Sequence, residues 1–156
     1  MVKESIKNFI KQTTHLIESN DWLTFYEEAN DYLSSVTISE ITEMLLKAGV
    51  NPLIIIDTVP SGFLFKSHIE KFKLPSNIKI IGESAFEQCK ELTTVTFNEG
   101  LESIKAYAFE KCGSLGPNIY FPDSLREIGN LAFNRCKSIK ALSFGKNVSH
   151  LAADCF

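Results

Sequence analysis

Four cysteines and three histidines are the residues whose types could do chemistry in this chain. Cys89, Cys112 and Cys136 end three near-identical pentapeptides, AFEQC at 85–89, AFEKC at 108–112 and AFNRC at 132–136, spaced 23 and 24 apart. Evenly spaced thiols suggest a metal site, a disulfide framework or a set of nucleophiles. A metal site needs four ligands converging on one point, whereas a fixed period strings them along a line. A nucleophile needs an adjacent base and a group that orients it. The nearest such pair, Cys155 with His150, has no third member and no oxyanion site. His15 and His68 read as surface residues and His150 as a loop residue. The chain carries no phosphate-binding loop, dinucleotide fingerprint, HExxH or CxxC. No catalytic, cofactor-binding or metal residue is therefore assigned, and no cofactor and no enzymatic activity are expected.

The elements that carry these cysteines come from a repeat. Phe86, Phe109, Phe133 and Phe156 recur at 23, 24 and 23 residues. Ile78, Leu101, Leu125 and Val148 keep step with them, as do Ile81, Ile104, Ile128 and Leu151. Ala85, Ala108, Ala132 and Cys155 precede the phenylalanines, and Leu92, Leu115 and Ile139 follow the cysteines. Val95, Ile119 and Leu142, then Phe97, Phe121 and Phe144, complete the pattern, with one extra residue absorbed at Gly116-Pro117-Asn118. Stepping back 23 places Ile55, Phe63, Ile69, Phe72 and Leu74 in the apolar columns of a degenerate first copy, with Lys66 at the cysteine position. A period of this size is a solenoid's. LTTVTF at 92–97 and IKALSF at 139–144 end in the in-out-in alternation of a short strand. The Ala-Phe segment reads as a short helical turn beside turn glycines Gly82 or Gly129. The expected fold is an α+β solenoid: a helical N-terminal cap over 1–54, then about four and a half units with a parallel sheet over 55–156.

IGESAFEQCKELTTVTF and IGNLAFNRCKSIKALSF resemble the BspA-like leucine-rich repeat family. The resemblance implies stacked coils and protein binding. The family's well-known members are large, mostly exported surface proteins, and similar short arrays occur in bacteriophage and low-GC bacterial proteins. Column thiols then read as reduced packing residues, since free cysteine is small and soft.

The N-terminal stretch has charge spread throughout and no continuous apolar segment, so it reads as a helix rather than a signal peptide. The expected location is cytoplasmic, a host cytoplasm if the chain is phage-encoded. Ile6, Phe9, Ile10, Leu16 and Ile17 form one helical stripe, and Trp22, Phe25, Tyr26, Ala29 and Leu33 a second. Asn20 or Asp21 can cap the second helix, Thr37-Ile38-Ser39-Glu40 reads as the capping box of a third that Gly49 closes, and Asn51-Pro52 opens a last turn or two. Three short amphipathic helices and an open solenoid end each need cover, and each can supply the other's.

The net charge of −3 and the lack of interleaved bases and aromatics exclude an obvious nucleic-acid binder. No apolar run is long enough to span a membrane. What remains is surface, and the expected partner is another protein. Strand residues facing outward form a ladder of Lys71, Thr94, Asn118 and Ala141 beside Lys73, Thr96, Tyr120 and Ser143, the first candidate binding face. No base lies between Lys11 and Lys47, where Asp21, Glu27, Glu28, Asp31, Glu40 and Glu43 form the second, an acidic cap. The third is the C-terminal edge, where Leu142, Phe144, Leu151 and Phe156 are expected to self-associate as a homodimer. The leading expectation is a non-enzymatic binding module that binds or blocks its partner, as a phage-type inhibitor of a host defence protein does. The alternative is a surface adhesin-type module.

Overall fold

The computed structural model describes residues 2–54 and 56–156. Among these residues, helices α1 (Val2–Glu18), α2 (Trp22–Tyr32) and α3 (Ser35–Lys47) are followed by a 3₁₀ turn (Pro52–Ile54) and nine strands, β1 (Thr58–Val59) to β9 (His150–Leu151). No helix among the described residues is long and apolar enough to cross a membrane.

Caps set the helix boundaries. Asn20 adopts φ 57 and ends α1, with the Asp21 N–H returning to Leu16 O at 2.8 Å and the Asn20 N–H to Ile17 O at 3.2 Å. Asp21 then caps α2, its carboxylate accepting the Thr24 N–H. α3 begins earlier than the capping box at Thr37 predicts. Ser34 is its N-cap, and Thr37 lies buried inside the first turn, donating its hydroxyl to Ser34 O at 2.8 Å. Starting there turns Thr37, Ile38, Ile41 and Thr42 inward together. Gly49, at φ 80, closes the helix by sending its N–H to Leu46 O while the Val50 N–H reaches Leu45 O. Asn51 accepts the Leu53 N–H, so the Asn51-Pro52 start holds, for a single turn.

The coils differ from the expected strand-plus-helical-turn in two ways. Each holds two strands, and the continuous sheet is the one formed by the isoleucine column. β1, β3 (Ile80–Ile81), β5 (Ser103–Ile104), β7 (Glu127–Ile128) and β9 pair in that order, all parallel, with Val59, Ile81, Ile104, Ile128 and Leu151 in register. The Leu-x-x-Val-x-Phe segments make two separate pairs, β2 (Lys71–Lys73) with β4 (Thr94–Thr96) and β6 (Asn118–Tyr120) with β8 (Ala141–Ser143).

The Ala-Phe segment is not helical. Ser84 and Gln88, Tyr107 and Lys111, and Leu131 and Arg135 all have positive φ between 54 and 62. Alternating the backbone hand aims every second N–H at the next coil: Ser84, Phe86 and Gln88 donate to the carbonyls of Ala106, Ala108 and Glu110. The turns are thus a third hydrogen-bonded wall. Gly82 and Gly129 serve close approach rather than a left-handed turn. A Cβ on Gly82 would sit 2.4 Å from Val59 O, and one on Gly129 2.6 Å from Ala106 N.

The degenerate first copy is shifted by one residue. Leu64 and Lys66 donate to Ala85 O and Glu87 O, as Phe86 and Gln88 do to the coil beyond. Leu64 therefore holds the phenylalanine position, Phe63 the alanine position, and Ser67 rather than Lys66 the cysteine position. Lys66 instead takes the left-handed position at φ 58. Ser67-His68-Ile69 spans what Cys89-Lys90-Glu91-Leu92 spans in the second copy, so Ile69, Phe72 and Leu74 return to the expected columns. Asp57 pairs with Lys79, which brings Ile56 beside Ile78; Ile55, expected there, lies outside the described residues.

One aromatic spine runs from cap to end. Phe9 meets Phe25 at 5.2 Å, Phe25 meets Tyr26 at 5.3 Å, and Tyr26 meets Phe63 at 5.8 Å. Phe86, Phe109, Phe133 and Phe156 then stack at 5.0, 5.0 and 5.5 Å. Trp22, Phe25 and Tyr26 are buried core residues, as their spacing suggested, and Tyr26 closes its hydroxyl on Thr42 at 2.6 Å. The helices and coils share one core.

Candidate interaction surfaces

The cysteine column is buried and unoxidised. Each thiol donates one coil back: Cys89 to Leu64 O at 2.9 Å, Cys112 to Phe86 O at 3.0 Å and Cys136 to Phe109 O at 3.1 Å. Those carbonyls also accept the amides of Ser67, Cys89 and Cys112 in their own turns. The column therefore ties coils together by S–H bonds, a role beyond the passive packing expected of it. Of the neighbouring pair, Cys112 is pushed up by Cys89 beside it and then by burial while Cys89 is shifted down, and burial pushes Cys136 up to about 12. A thiol held protonated is a poor nucleophile. No group of three metal-capable side chains converges among the described residues.

The outward residues of the short strands all point to solvent. Lys71, Lys73, Thr94, Thr96, Asn118, Tyr120, Ala141 and Ser143 are exposed, Tyr120 at 69%. They do not form one ladder. Pro117 precedes β6 where Thr93 precedes β4, and Thr93 donates its N–H to Glu70 O. Proline has no such proton. The Gly116 N–H meets Thr93 O instead at 3.1 Å, and β4 and β6 do not pair. The face is two plates, Lys71–Thr96 and Asn118–Ser143, with Tyr120 on the second.

The acidic residues of the helices are likewise dispersed. Asp21 and Glu27 line a groove of about 520 Å³ between α2 and the first coil. Glu28 and Asp31 border a different hollow with Phe9 and Tyr32. Glu40 sits between α1 and α3 beside Lys3 and Lys7. Glu43 is half-buried and bonded to Lys47 at 2.8 Å. Burial works to raise its carboxyl, but Lys47, then His68, outweigh burial and hold it below the usual range. The six acids therefore line four separate hollows rather than one.

At the C-terminal edge, Phe144, Leu151 and Phe156 are 42%, 48% and 42% exposed, and Leu142 is half-buried. Leu142 and Phe156 share a shallow hollow with Phe133, Cys136 and Ile139, rimmed by Arg135 and Lys137. Leu151 lies apart, on the edge strand of the long sheet. His150 is an exposed β9 residue rather than a loop residue, and His68 bonds Glu91 at 3.0 Å.

The comparison with known families matches residues 57–156 to the family described as BspA type leucine rich repeat region (6 copies). Among solved structures, a leucine rich repeat protein of T. pallidum is 30% identical at a TM-score of 0.63, over 65% of this chain and 47% of that one. A leucine-rich repeat protein from Bacteroides capillosus is 23% identical at 0.52, over 56% of this chain and 62% of that one. A leucine rich cell surface protein from Faecalibacterium prausnitzii is 18% identical at 0.55, over 65% and 34%. The chain spans less than two-thirds of the length of each. No curated protein matches it. With its coils matched over most of its length, the chain belongs to the BspA type leucine-rich repeat family.

Proposed function

We propose that this chain is a non-enzymatic protein-binding module whose recognition face is the outward side of β2, β4, β6 and β8. The observation that carries this reading is the exposure of all eight side chains on that face around Tyr120, with short polar residues flanking it. An exposed tyrosine with two flexible torsions gives a large, amphipathic contact at low entropic cost, and such residues anchor protein interfaces. A flat polar face suits a protein better than a small ligand, which is held in a concave apolar pocket. The mode of action is occupancy: the bound partner is blocked from its other contacts. That the partner is a host protein, as for a short phage-borne array, rests on the family resemblance. Affinity capture on the immobilised chain, read by mass spectrometry, tests the proposal when run beside Tyr120→Ala and Lys71→Glu/Lys73→Glu. A stoichiometric protein lost with these variants supports it. A protein captured equally well by all three overturns the assignment of the face.

A further inference from the structure

The groove between α2 and the first coil lies apart from the outward side of β2, β4, β6 and β8. Its floor is Trp22, Tyr26, Ile56 and Pro60, and Leu23 stands beside it 59% exposed. Asp21, Glu27 and Asp57 ring it, and no lysine or arginine is among its lining residues. Asp21 and Asp57 already accept hydrogen bonds, from the Thr24 N–H and the Thr58 hydroxyl, so both carboxylates are held in place at the rim. None of the three forms an ion pair among the described residues, unlike Glu43.

The groove also holds an edge strand. In the parallel pairing of β1 with β3, Asp57 O accepts Ile80 N–H and Val59 O accepts Gly82 N–H, so Thr58 turns its own N–H and C=O the other way. The next donor along that edge is absent because residue 60 is proline. A partner strand could make only a fragment of a ladder there. Recognition has to come from side chains: one large apolar group on the floor and cations at the rim.

We infer that this groove binds a short basic segment of another protein, anchored by one large apolar side chain. Three carboxylates around an apolar floor with no base of their own supply the charge complementarity, which governs partner choice more than raw affinity. The probe is a fluorescein-labelled peptide, Lys-Arg-Leu-Trp-Arg-Lys, titrated by anisotropy against the whole 156-residue chain at low and moderate salt. Saturable, salt-sensitive binding is expected. Glu27→Lys with Asp57→Lys should weaken it by about tenfold or more, and Glu27→Lys alone, on the exposed surface of α2, keeps the test valid if the double variant is unstable. Glu28→Lys with Asp31→Lys makes the same change of net charge at the other hollow and should weaken it by less than about threefold. Replacing Leu-Trp of the peptide by Ala-Ala should abolish binding. Tyr120→Ala should leave it unchanged, which separates failure here from failure of the strand face. Equal effects from the two double variants, equal binding of the Ala-Ala peptide, or no binding at all overturns the inference. So does self-association of the chain that Glu27→Lys removes, which would make a second copy the occupant.

Discussion

Removing the ring of Phe109 tests whether the phenylalanine column is the axis of the fold. Phe109 is fully buried and lies between Phe86 and Phe133, both at 5.0 Å with interplanar angles of 3° and 12°, with Phe97 edge-on at 5.9 Å. Phe→Ala in a core costs about 3–5 kcal/mol, and each lost aromatic pair carries ~0.5–1.5 kcal/mol beyond its area. Backbone walls on either side tie the coil to its neighbours and hinder collapse into the cavity, so Phe109→Ala falls at the upper end, about 4–5 kcal/mol. Phe156 occupies the same column but is 42% exposed, with one stacked neighbour, Phe133. Phe156→Ala should cost only about 1–2 kcal/mol by area. Against a total of roughly 5–15 kcal/mol, the first variant is marginal and the second remains well folded. Urea unfolding followed by circular dichroism, with the m-values compared, reads both. Equal costs for the two variants, or less than ~2 kcal/mol for Phe109→Ala, would refute the aligned column.

Other perturbations probe different walls of the coil. Cys112→Ala removes the S–H donor to Phe86 O and leaves a small void, so a loss of about 1–2 kcal/mol is expected, with capture of any strand-face partner unchanged. The raised thiols also predict alkaline loss of stability. The unfolded chain's thiols ionise from about 9.0 upward while folded Cys136 stays protonated to about 12, so stability declines across that window and Cys136→Ser flattens the decline in melts at pH 8 to 11. At the acid end, the hydrogen bond from Lys105, then that from Ser103 at 2.5 Å, depresses the Glu127 carboxyl. Its contribution is present above the unfolded value of 4.5 and is lost as pH falls through the lower folded value; melts between pH 5 and 2 should show a shallower fall for Glu127→Gln. Gly129→Ala drives a methyl to 2.6 Å from Ala106 N, and a melting temperature lowered by several degrees is expected, whereas Gly113→Ala meets open space and should change little.

The columns were legible because inward positions of stacked coils repeat in type: Phe, Ala, Cys and Leu recur at fixed spacing whatever the backbone does between them. The long sheet was not, because each of its strands is two residues, too short to show an alternation; Ile81, Ile104 and Ile128 read only as another apolar column. The left-handed turn positions carried no flag either. Ser84, Gln88, Tyr107, Lys111, Leu131 and Arg135 include neither glycine nor asparagine, and the conformation is imposed by hydrogen bonds to the next coil rather than by local preference. The shift at Ser67 was hidden because the missing residue lies just after it, so the later columns still matched. The start of α3 was obscured by a competing signal, a Thr-x-x-Glu box one turn inside the helix.

The surfaces were less legible than the core for a reason that belongs to solenoids. A repeat fixes which side chains point outward, and every one of the eight strand-face residues does so. It does not fix whether adjacent outward strands join, because that depends on backbone donors. One proline decides it here: with no N–H at Pro117, Thr93 O takes the Gly116 proton and the face divides between β4 and β6 while the long sheet behind it continues unbroken. Charge behaves the same way in the helices. A run of acids without a base is dense along the chain, but successive helical positions are about 100° apart, so Glu27 lines the groove beside the first coil while Glu28 borders a different hollow. The surface therefore presents local clusters, three carboxylates around the groove beside α2 and two plates either side of a break, rather than one continuous face.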